Sequence, residues 1–375
     1  MALPPEVCIR GAGIVGRTLA LLLAGARIRV ALVAPEPDPL AAAREDVRAY
    51  ALNTASRQLL ESLRAWPDAQ HATAVLEMLV NGDEGGQVHF SAPKQKVDAL
   101  AWIVDVPALT QRLADAVRFQ PFVDVVNEPV AAPLTVVCEG KASTTRDSLG
   151  VSYDVTRYPQ HAIAARFEAS EPHGDVARQW FNDRGEVLAL LPLGGPGART
   201  VALVWSVEQA RAPQLLAQSP EAFSESVREA CRGALGTLAL TSERAAWPLQ
   251  RAIADRWTGN FADGSAWALA GDAAHTVHPL AGQGLNLGLA DAAALAAVLK
   301  DREHWRPVGD GKLLRRYERA RRADVLAMSL ATDGLQQLFA HRTEPLPRLR
   351  NWGMLGFDRT NFIKGWITRQ AMGLN

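Results

Sequence analysis

Three stretches of this 375-residue chain pair residue types and spacings that can do chemistry. Gly11-Ala12-Gly13-Ile14-Val15-Gly16 carries the glycine spacing of a dinucleotide turn. Its first glycine allows the tight turn, the second lets a pyrophosphate approach the backbone, and the third lets helix and strand pack closely. Late in the chain, Gly271-Asp272 sets one carboxylate at the end of an apolar run, where it suits a chain of sugar-like hydroxyls. Pro279, Gly282, Gln283, Gly284, Leu285 and Asn286 then lead into a strongly apolar helix. A helix start offers unpaired N–H groups and a positive dipole end, which suit a ring that becomes anionic on reduction. Between these lies Glu139-Gly140-Lys141-Ala142-Ser143-Thr144-Thr145-Arg146, an acid–glycine turn with serine and arginine downstream.

The elements that must position these residues follow from patterning. Residues 7–10 are expected as a strand, 17–26 as a helix and 28–33 as a second strand, a βαβ nucleotide unit in which strand, fingerprint and helix come in the required order. The acid that ordinarily ends the second strand and binds the adenosine ribose is missing; Ala34 stands there, and Glu36 beyond Pro35 is the candidate substitute. Residues 46–66 are expected as a loop feeding a helix, with Leu52, Leu59, Leu60 and Leu63 at helical spacing and Arg48 ahead of it as a phosphate partner. A plain surface arginine is the competing reading.

Further on, 107–119 is expected as a helix and 134–138 as a strand. Residues 161–168, 186–193 and 200–207 alternate as strands between glycine-rich turns, 220–235 is expected as a helix, and 267–270 as a buried strand. The expected architecture is α/β: a Rossmann-like nucleotide-binding domain over residues 1–70, 100–150 and 245–345, interrupted by a mostly antiparallel β-sheet substrate domain over 71–99 and 151–244. C-terminal helices complete it. Residues 312–339 form a long helix, and 346–375 an amphipathic helical tail.

That tail holds Arg348, Arg350, Arg359, Lys364 and Arg369 against Asp358, a net +4, interleaved with Trp352, Phe357, Phe362 and Trp366. A basic, aromatic segment can lie in a membrane interface, and docking on the protein's own core is the equal alternative.

Composition excludes several classes. With 40 basic and 40 acidic residues there is no electrostatic footprint for nucleic acid. Cys8, Cys138 and Cys231 are odd in number and far apart, so neither a disulfide framework nor a zinc site is expected, and a reducing, cytoplasmic location fits. The first strand begins by Val7, which leaves no room for a signal peptide, and the apolar run at 19–34 is broken by Arg27 and Arg29. His275 and His278 are three apart, but two histidines without a third ligand make a poor zinc site, so no metal is expected. His275 is expected to pack or hydrogen-bond beside a cofactor.

Taken together, GAGIVG, EGKASTTR and GDAAHTVHPLAGQGLN in that order resemble the single-component flavoprotein aromatic hydroxylases, the para-hydroxybenzoate hydroxylase superfamily. HPLAGQGLNLGLADA, with Tyr158-Pro159-Gln160-His161-Ala162-Ile163, LALLPL and Trp247-Pro248-Leu249, looks most like the branch that hydroxylates ubiquinone precursors. The resemblance implies a GR2-type flavoprotein fold and non-covalent FAD. Gly11, Gly13, Ile14, Val15 and Gly16 would hold its pyrophosphate, with Arg48 near the phosphates. Gly271 and Asp272 would meet the ribityl chain, and Pro279 with residues 282–286 the flavin's pyrimidine edge. It further implies NADH or NADPH as electron donor, bound without a Rossmann domain of its own, and dioxygen as co-substrate. Hydroxyl transfer would run through a flavin C4a-hydroperoxide to an aromatic ring, most simply a prenylated phenol or quinone precursor. No nucleophile, metal ligand or general base is named by sequence.

Two alternatives stay open: the same chemistry on a soluble aromatic or polyketide, and a catalytically silent scaffold subunit of a quinone-biosynthesis complex. Ala34, and Glu139 in place of the usual aspartate, motivate the latter. The implied place of action is the cytoplasm, peripheral on the inner face of the membrane.

Overall fold

The computed structural model describes residues 3–35, 46–82, 86–277 and 284–340. The chain lays down β1 (Val7–Arg10), α1 (Ile14–Gly25), β2 (Val30–Val33), β3 (Ala49–Leu52) and α2 (Thr54–Ser62). Next come β4 (Ala72–Val75), β5 (Glu77–Asn81), β6 (Gln87–Ser91), a single helical turn α3 (Ala92–Gln95), β7 (Ala101–Asp105), α4 (Val106–Arg118), β8 (Val123–Val126), β9 (Leu134–Val137) and α5 (Thr144–Ser148). The middle of the chain gives β10 (Tyr153–Ala169), β11 (Val176–Phe181), β12 (Val187–Pro192), β13 (Thr200–Glu208), α6 (Ala212–Leu216), α7 (Pro220–Ala230), β14 (Leu238–Leu240) and β15 (Ala245–Ala254). It closes with β16 (Thr258–Asn260), β17 (Ala266–Leu269), β18 (His275–Thr276), α8 (Gly284–Lys300) and α9 (Gly311–Ala340).

Six strands form a sheet in the order β16-β17-β9-β1-β2-β8, parallel from β17 to β8. Such strands are covered on both faces, and the sequence shows it: β2 and β17 are buried at every residue. On one side Leu19 and Leu23 of α1 and Leu289 and Leu295 of α8 join Ile9 and Val136 in the main core. Fully burying one such side chain contributes about 1.5–3 kcal/mol, so this layer fixes the strand ends that carry the glycine loops.

A second, nine-stranded sheet runs β18-β15-β10-β13-β12-β11-β5-β6, with β14 also paired to β10. It is antiparallel except where β11 meets β5. Beneath it, Phe167, Trp205 and Phe223 close a separate core, with Phe167 and Phe223 stacked at 5.9 Å. A third sheet, β3-β7-β4, has three strands.

The structure changes several expected boundaries. Residues 46–66 contain β3 before the helix, because Ala49–Leu52 finds a non-local partner in β7. The first helix starts at Ile14, immediately after Gly13, and the seventh ends at Ala230, where Arg232 and Gly233 turn with positive φ. Residues 245–254, expected in the nucleotide-binding part, pair as β15 with β10, so the chain rejoins the six-stranded sheet only at Thr258. The expected tail, 346–375, lies outside the described residues. No helix among the described residues is long and apolar enough to cross a membrane.

Candidate active site

β17, β9 and β1 are adjacent and parallel, with Leu269, Val137 and Arg10 in register. Their C-terminal ends therefore deliver Gly271-Asp272, Glu139 and the Gly11 loop to one edge of the sheet. Ligands of open α/β sheets bind outside the carboxyl ends of the strands. The three motifs, far apart in sequence, meet there.

At Gly11 the backbone has φ +109°, and a β-carbon would stand 2.5 Å from the Cys138 carbonyl oxygen. At Gly16 it would stand 1.9 Å from the Gly11 carbonyl oxygen. No side chain fits at either. Gly13 differs: a β-carbon there would meet nothing within 4 Å. It caps α1 without a side-chain hydrogen bond, and no acid sits in the first turn. The cap of α1 is neutral and the space beside Gly13 is open among the described residues, an arrangement that fits a pyrophosphate.

Val15 ties this loop to the late motif. A β-carbon on Gly288 would stand 2.8 Å from Val15 Cγ2, and one on Gly271, which has φ +63°, would stand 3.3 Å from the same atom. The valine thus occupies space that two glycines leave, while Ile14 packs against the main core.

Asp272 lies in a single 3-10 turn, Gly271–Ala273. Its backbone oxygen accepts from Tyr153 Oη at 2.8 Å, and the same hydroxyl lies 2.8 Å from Thr276 Oγ1. Burial pushes the Tyr153 hydroxyl up to about 12, so it is a neutral donor. The Asp272 side chain is exposed and takes no hydrogen bond among the described residues. Surrounding protein nevertheless raises its pKa, while His275, Lys141 and Arg48 pull the other way. An exposed carboxylate that still feels desolvation lies in a cleft. Its free acceptors fit a polyol such as the ribityl chain.

The turn is held from behind. Asp291 of α8, fully buried, accepts the Gly271 N–H at 2.9 Å through Oδ2, which also lies 2.6 Å from His275 Nε2. Its Oδ1 accepts from Arg321 Nε of α9 at 2.8 Å. Burial opposes the charge on Asp291, but His275 and Arg321 outweigh it and hold its pKa below the ordinary value. Trp257 stacks on the His275 ring at 5.0 Å. Among the described residues His275 Nδ1 is buried without a partner, while Nε2 engages Asp291. Sequence reasoning did not find Asp291 or Arg321. Their only signal was a lone acid inside an apolar helix.

Arg48, expected near phosphates, makes a two-bond pair with Asp46: Nε to Oδ1 at 2.7 Å and Nη2 to Oδ2 at 2.6 Å. The Asp46 hydrogen bond raises its pKa further. Arg166 of β10 fixes this loop through Asp105 Oδ2, at 2.6 Å, and contacts the Val47 carbonyl oxygen. Tyr50, absent from the sequence expectations, is pushed up by burial, and the Asp272 charge adds to the shift.

Asn286 binds inward. Its Oδ1 accepts from Asn53 N at 3.0 Å and Ser56 Oγ at 2.7 Å, and its Nδ2 donates to the Ala51 carbonyl oxygen at 2.9 Å. The side chain locks the start of α8 to β3 and α2. Glu139 accepts from Ser143 Oγ at 2.7 Å and Thr145 Oγ1 at 2.6 Å, which builds the cap of α5. Burial opposes its ionisation, yet these bonds and Arg10 keep its pKa low. The longer acid thus organises its own loop, and Arg146 from that loop lies 3.8 Å over the Tyr153 ring. Glu36, His278, Pro279, Gly282 and Gln283 lie outside the described residues.

A parallel sheet with a glycine turn at one strand end and a polyol-suited carboxylate at another defines an FAD-binding class of enzyme, and a family model for an FAD binding domain matches residues 110–331. The chain is 32% identical to the ubiquinone hydroxylase UbiL of Rhodospirillum rubrum, over 98% of this chain and 89% of that one. It is 30% identical to the 3-demethoxyubiquinol 3-hydroxylase of Escherichia coli K12, over 99% of each. Among solved structures, the fold is similar to that of PqsL of Pseudomonas aeruginosa, a probable FAD-dependent monooxygenase, with TM-score 0.74 and 23% identity over 94% of this chain and 99% of that one. The chain belongs to the FAD-dependent aromatic hydroxylases, in the ubiquinone-hydroxylase branch. It is an FAD-dependent enzyme.

Proposed function

We propose that this chain hydroxylates the aromatic ring of a prenylated phenol or quinone precursor in ubiquinone biosynthesis. The observation that carries the reading is the meeting of Gly11, Glu139 and Asp272 at the ends of three adjacent parallel strands, in a chain of this family. When bound, FAD supplies the activation of dioxygen at the expense of NADH or NADPH. The balance is one ring C–H, dioxygen, NAD(P)H and a proton in; a phenol, water and NAD(P)⁺ out.

The chain's own residues divide the rest of the work. Gly11, Gly13, Ile14, Val15 and Gly16 would receive the pyrophosphate on open N–H groups, and Asp272 would accept from the ribityl hydroxyls. The N-terminus of α8 at Gly284, Leu285 and Asn286, with Pro279, Gly282 and Gln283 before it, would stabilise negative charge on the flavin ring. Glu36 and Arg48 would serve the adenosine and phosphate end; for Arg48 this requires exchange from Asp46 to the ligand. The six-stranded sheet would hold the cofactor, and the nine-stranded sheet would cover the substrate and exclude water.

The basic, aromatic tail at 346–375 supports peripheral attachment to an anionic membrane face or to a quinone-biosynthesis complex, where an apolar-tailed substrate resides. Flotation with anionic vesicles checks this: full-length protein should float and protein ending at residue 345 should not.

For the reaction, the purified protein is loaded with FAD and given NADPH, ¹⁸O₂ and a prenylated phenol. One ¹⁸O in the new ring hydroxyl is expected. A protein that stays colourless with FAD supplied refutes the reading in favour of a scaffold. Turnover of untailed aromatics alone refutes the quinone assignment.

A further inference from the structure

We propose that Arg17 recognises the adenosine half of FAD beside the end of β2, where Ala34 stands at the usual position of a carboxylate. The inference rests on the FAD reading above.

A cavity of about 420 Å³ opens beside the glycine turn, lined by Ala12, Arg17, Ala34, Arg118, Val123 and Asp124 among others. It begins where α1 starts and continues past the end of β2, the direction a dinucleotide takes from its pyrophosphate to its adenosine. Ala34 offers this cavity only a methyl group, and its N–H is already given to the Val126 carbonyl oxygen at 2.9 Å. The position therefore has no side-chain acceptor for a ribose hydroxyl.

Arg17 stands in the first turn of α1, on the cavity wall. Its side chain is half-buried and makes no ion pair or hydrogen bond among the described residues. Burial alone acts on it, and lowers its pKa. Arg118, on the far wall, also lacks an ion pair among the described residues, and Asp124 pairs with neither arginine. A partly desolvated guanidinium that no described residue pairs is well placed for a ligand that supplies acceptors.

A guanidinium only donates, so the chemistry of recognition is reversed. A carboxylate at β2 would accept hydrogen bonds from ribose hydroxyls; Arg17 instead gives hydrogen bonds to the ribose oxygens and ring nitrogens of the adenosine. The planar fork also reaches two such acceptors at once, which lysine does not.

FMN shares the ring, the ribityl chain and one phosphate with FAD but lacks the adenosine together with the phosphate next to it, so the pair isolates contacts to that half of the cofactor. Arg17→Met keeps the aliphatic stem and removes the donors. Titrations of apoprotein with FAD and with FMN, followed by flavin fluorescence, are expected to show Kd for FAD raised about ten- to hundred-fold in Arg17→Met, the loss of one charge-assisted hydrogen bond. Kd for FMN and the melting temperature of the apoprotein should be unchanged, and Arg17→Lys should fall between wild type and Arg17→Met. An unchanged FAD affinity overturns the inference. So does a parallel rise for FMN, which would place Arg17 on the shared phosphate, or a lower apoprotein melting temperature, which would make its role structural. If wild type binds neither flavin, the FAD reading itself fails first.

Discussion

Asp291 accepts the Gly271 N–H at 2.9 Å, and through that bond a fully buried carboxylate sets the turn that presents Asp272. The same carboxylate engages His275 and Arg321, so one α8 residue ties the late turn to α9. Asp291→Asn removes the charge and leaves Arg321 buried without full compensation. Losing one partner of a buried pair costs on the order of 3–5 kcal/mol. Urea unfolding should show that loss, and FAD affinity should fall with it because the Gly271 turn is no longer pinned. Stability within experimental error of wild type would show that the network does not carry this load.

Val15 and Gly288 are expected to be coupled. Gly288→Ala puts a methyl group 2.8 Å from Val15 Cγ2, closer than carbon atoms approach, with Gly271 Cα at 3.5 Å behind it. Overpacking of this kind costs about 1–3 kcal/mol, more than the gain of up to about 1 kcal/mol from replacing glycine by alanine in a helix. Adding Val15→Ala vacates the space, so the double variant should be more stable than the sum of the single effects. Additive effects in urea unfolding would mean that the close approach is relieved elsewhere.

Which parts were legible in the sequence follows the same division. The glycine turn was legible because spacing states its geometry, since only glycine fits Gly11 and Gly16, and the place of Gly271-Asp272 at a strand end was legible from the apolar run before it. β3 was not, because Ala49–Leu52 is short and is made a strand by β7, some 50 residues away. β15 carries Pro248 within Ala245–Ala254 and is mostly half-buried, so no clear alternation announced its place beside β10. The motif marks Asn286 as a flavin contact, whereas its inward bonds to Asn53, Ser56 and Ala51 depend on a fold in which α8 meets β3. The Asp291–Arg321 pair spans two helices, and local pattern does not record which face meets which.

Asp272→Ala separates binding from folding. Its carboxylate has no hydrogen bond among the described residues, and the Tyr153 hydroxyl bonds its backbone oxygen, which the substitution leaves in place. Apoprotein stability should therefore hold, while FAD loses hydrogen bonds to a charged acceptor worth about 1.5–3 kcal/mol, roughly ten- to hundred-fold in Kd. Flavin fluorescence titration checks it. Unchanged FAD affinity would remove Asp272 from the site, and a matching loss of apoprotein stability would make its role structural.

Acid stability should follow the buried carboxylates. Asp291 and Glu139 have folded-state pKa values held below their ordinary 3.8 and 4.5, in each case because partners outweigh the burial penalty. As pH falls through those ordinary values the unfolded chain takes up protons that the folded chain refuses, so stability rises with pH there. Their contribution is complete above about pH 5 and is lost as pH drops through the folded values. Asp272, raised by burial, acts in the opposite sense: it favours the fold at low pH, and that contribution fades as pH rises through its folded value. The two depressed groups outnumber it, so the net slope on the acid side should be positive. Urea unfolding of apoprotein between about pH 3 and pH 6 should give a shallower acid limb for Asp291→Asn and for Glu139→Gln than for wild type. The Glu139→Gln effect should be the smaller, because Glu139 is only half-buried and its cap survives in part through Ser143, which still accepts from Arg146 N at 3.1 Å. Equal limbs in all three proteins would place the acid sensitivity outside these carboxylates.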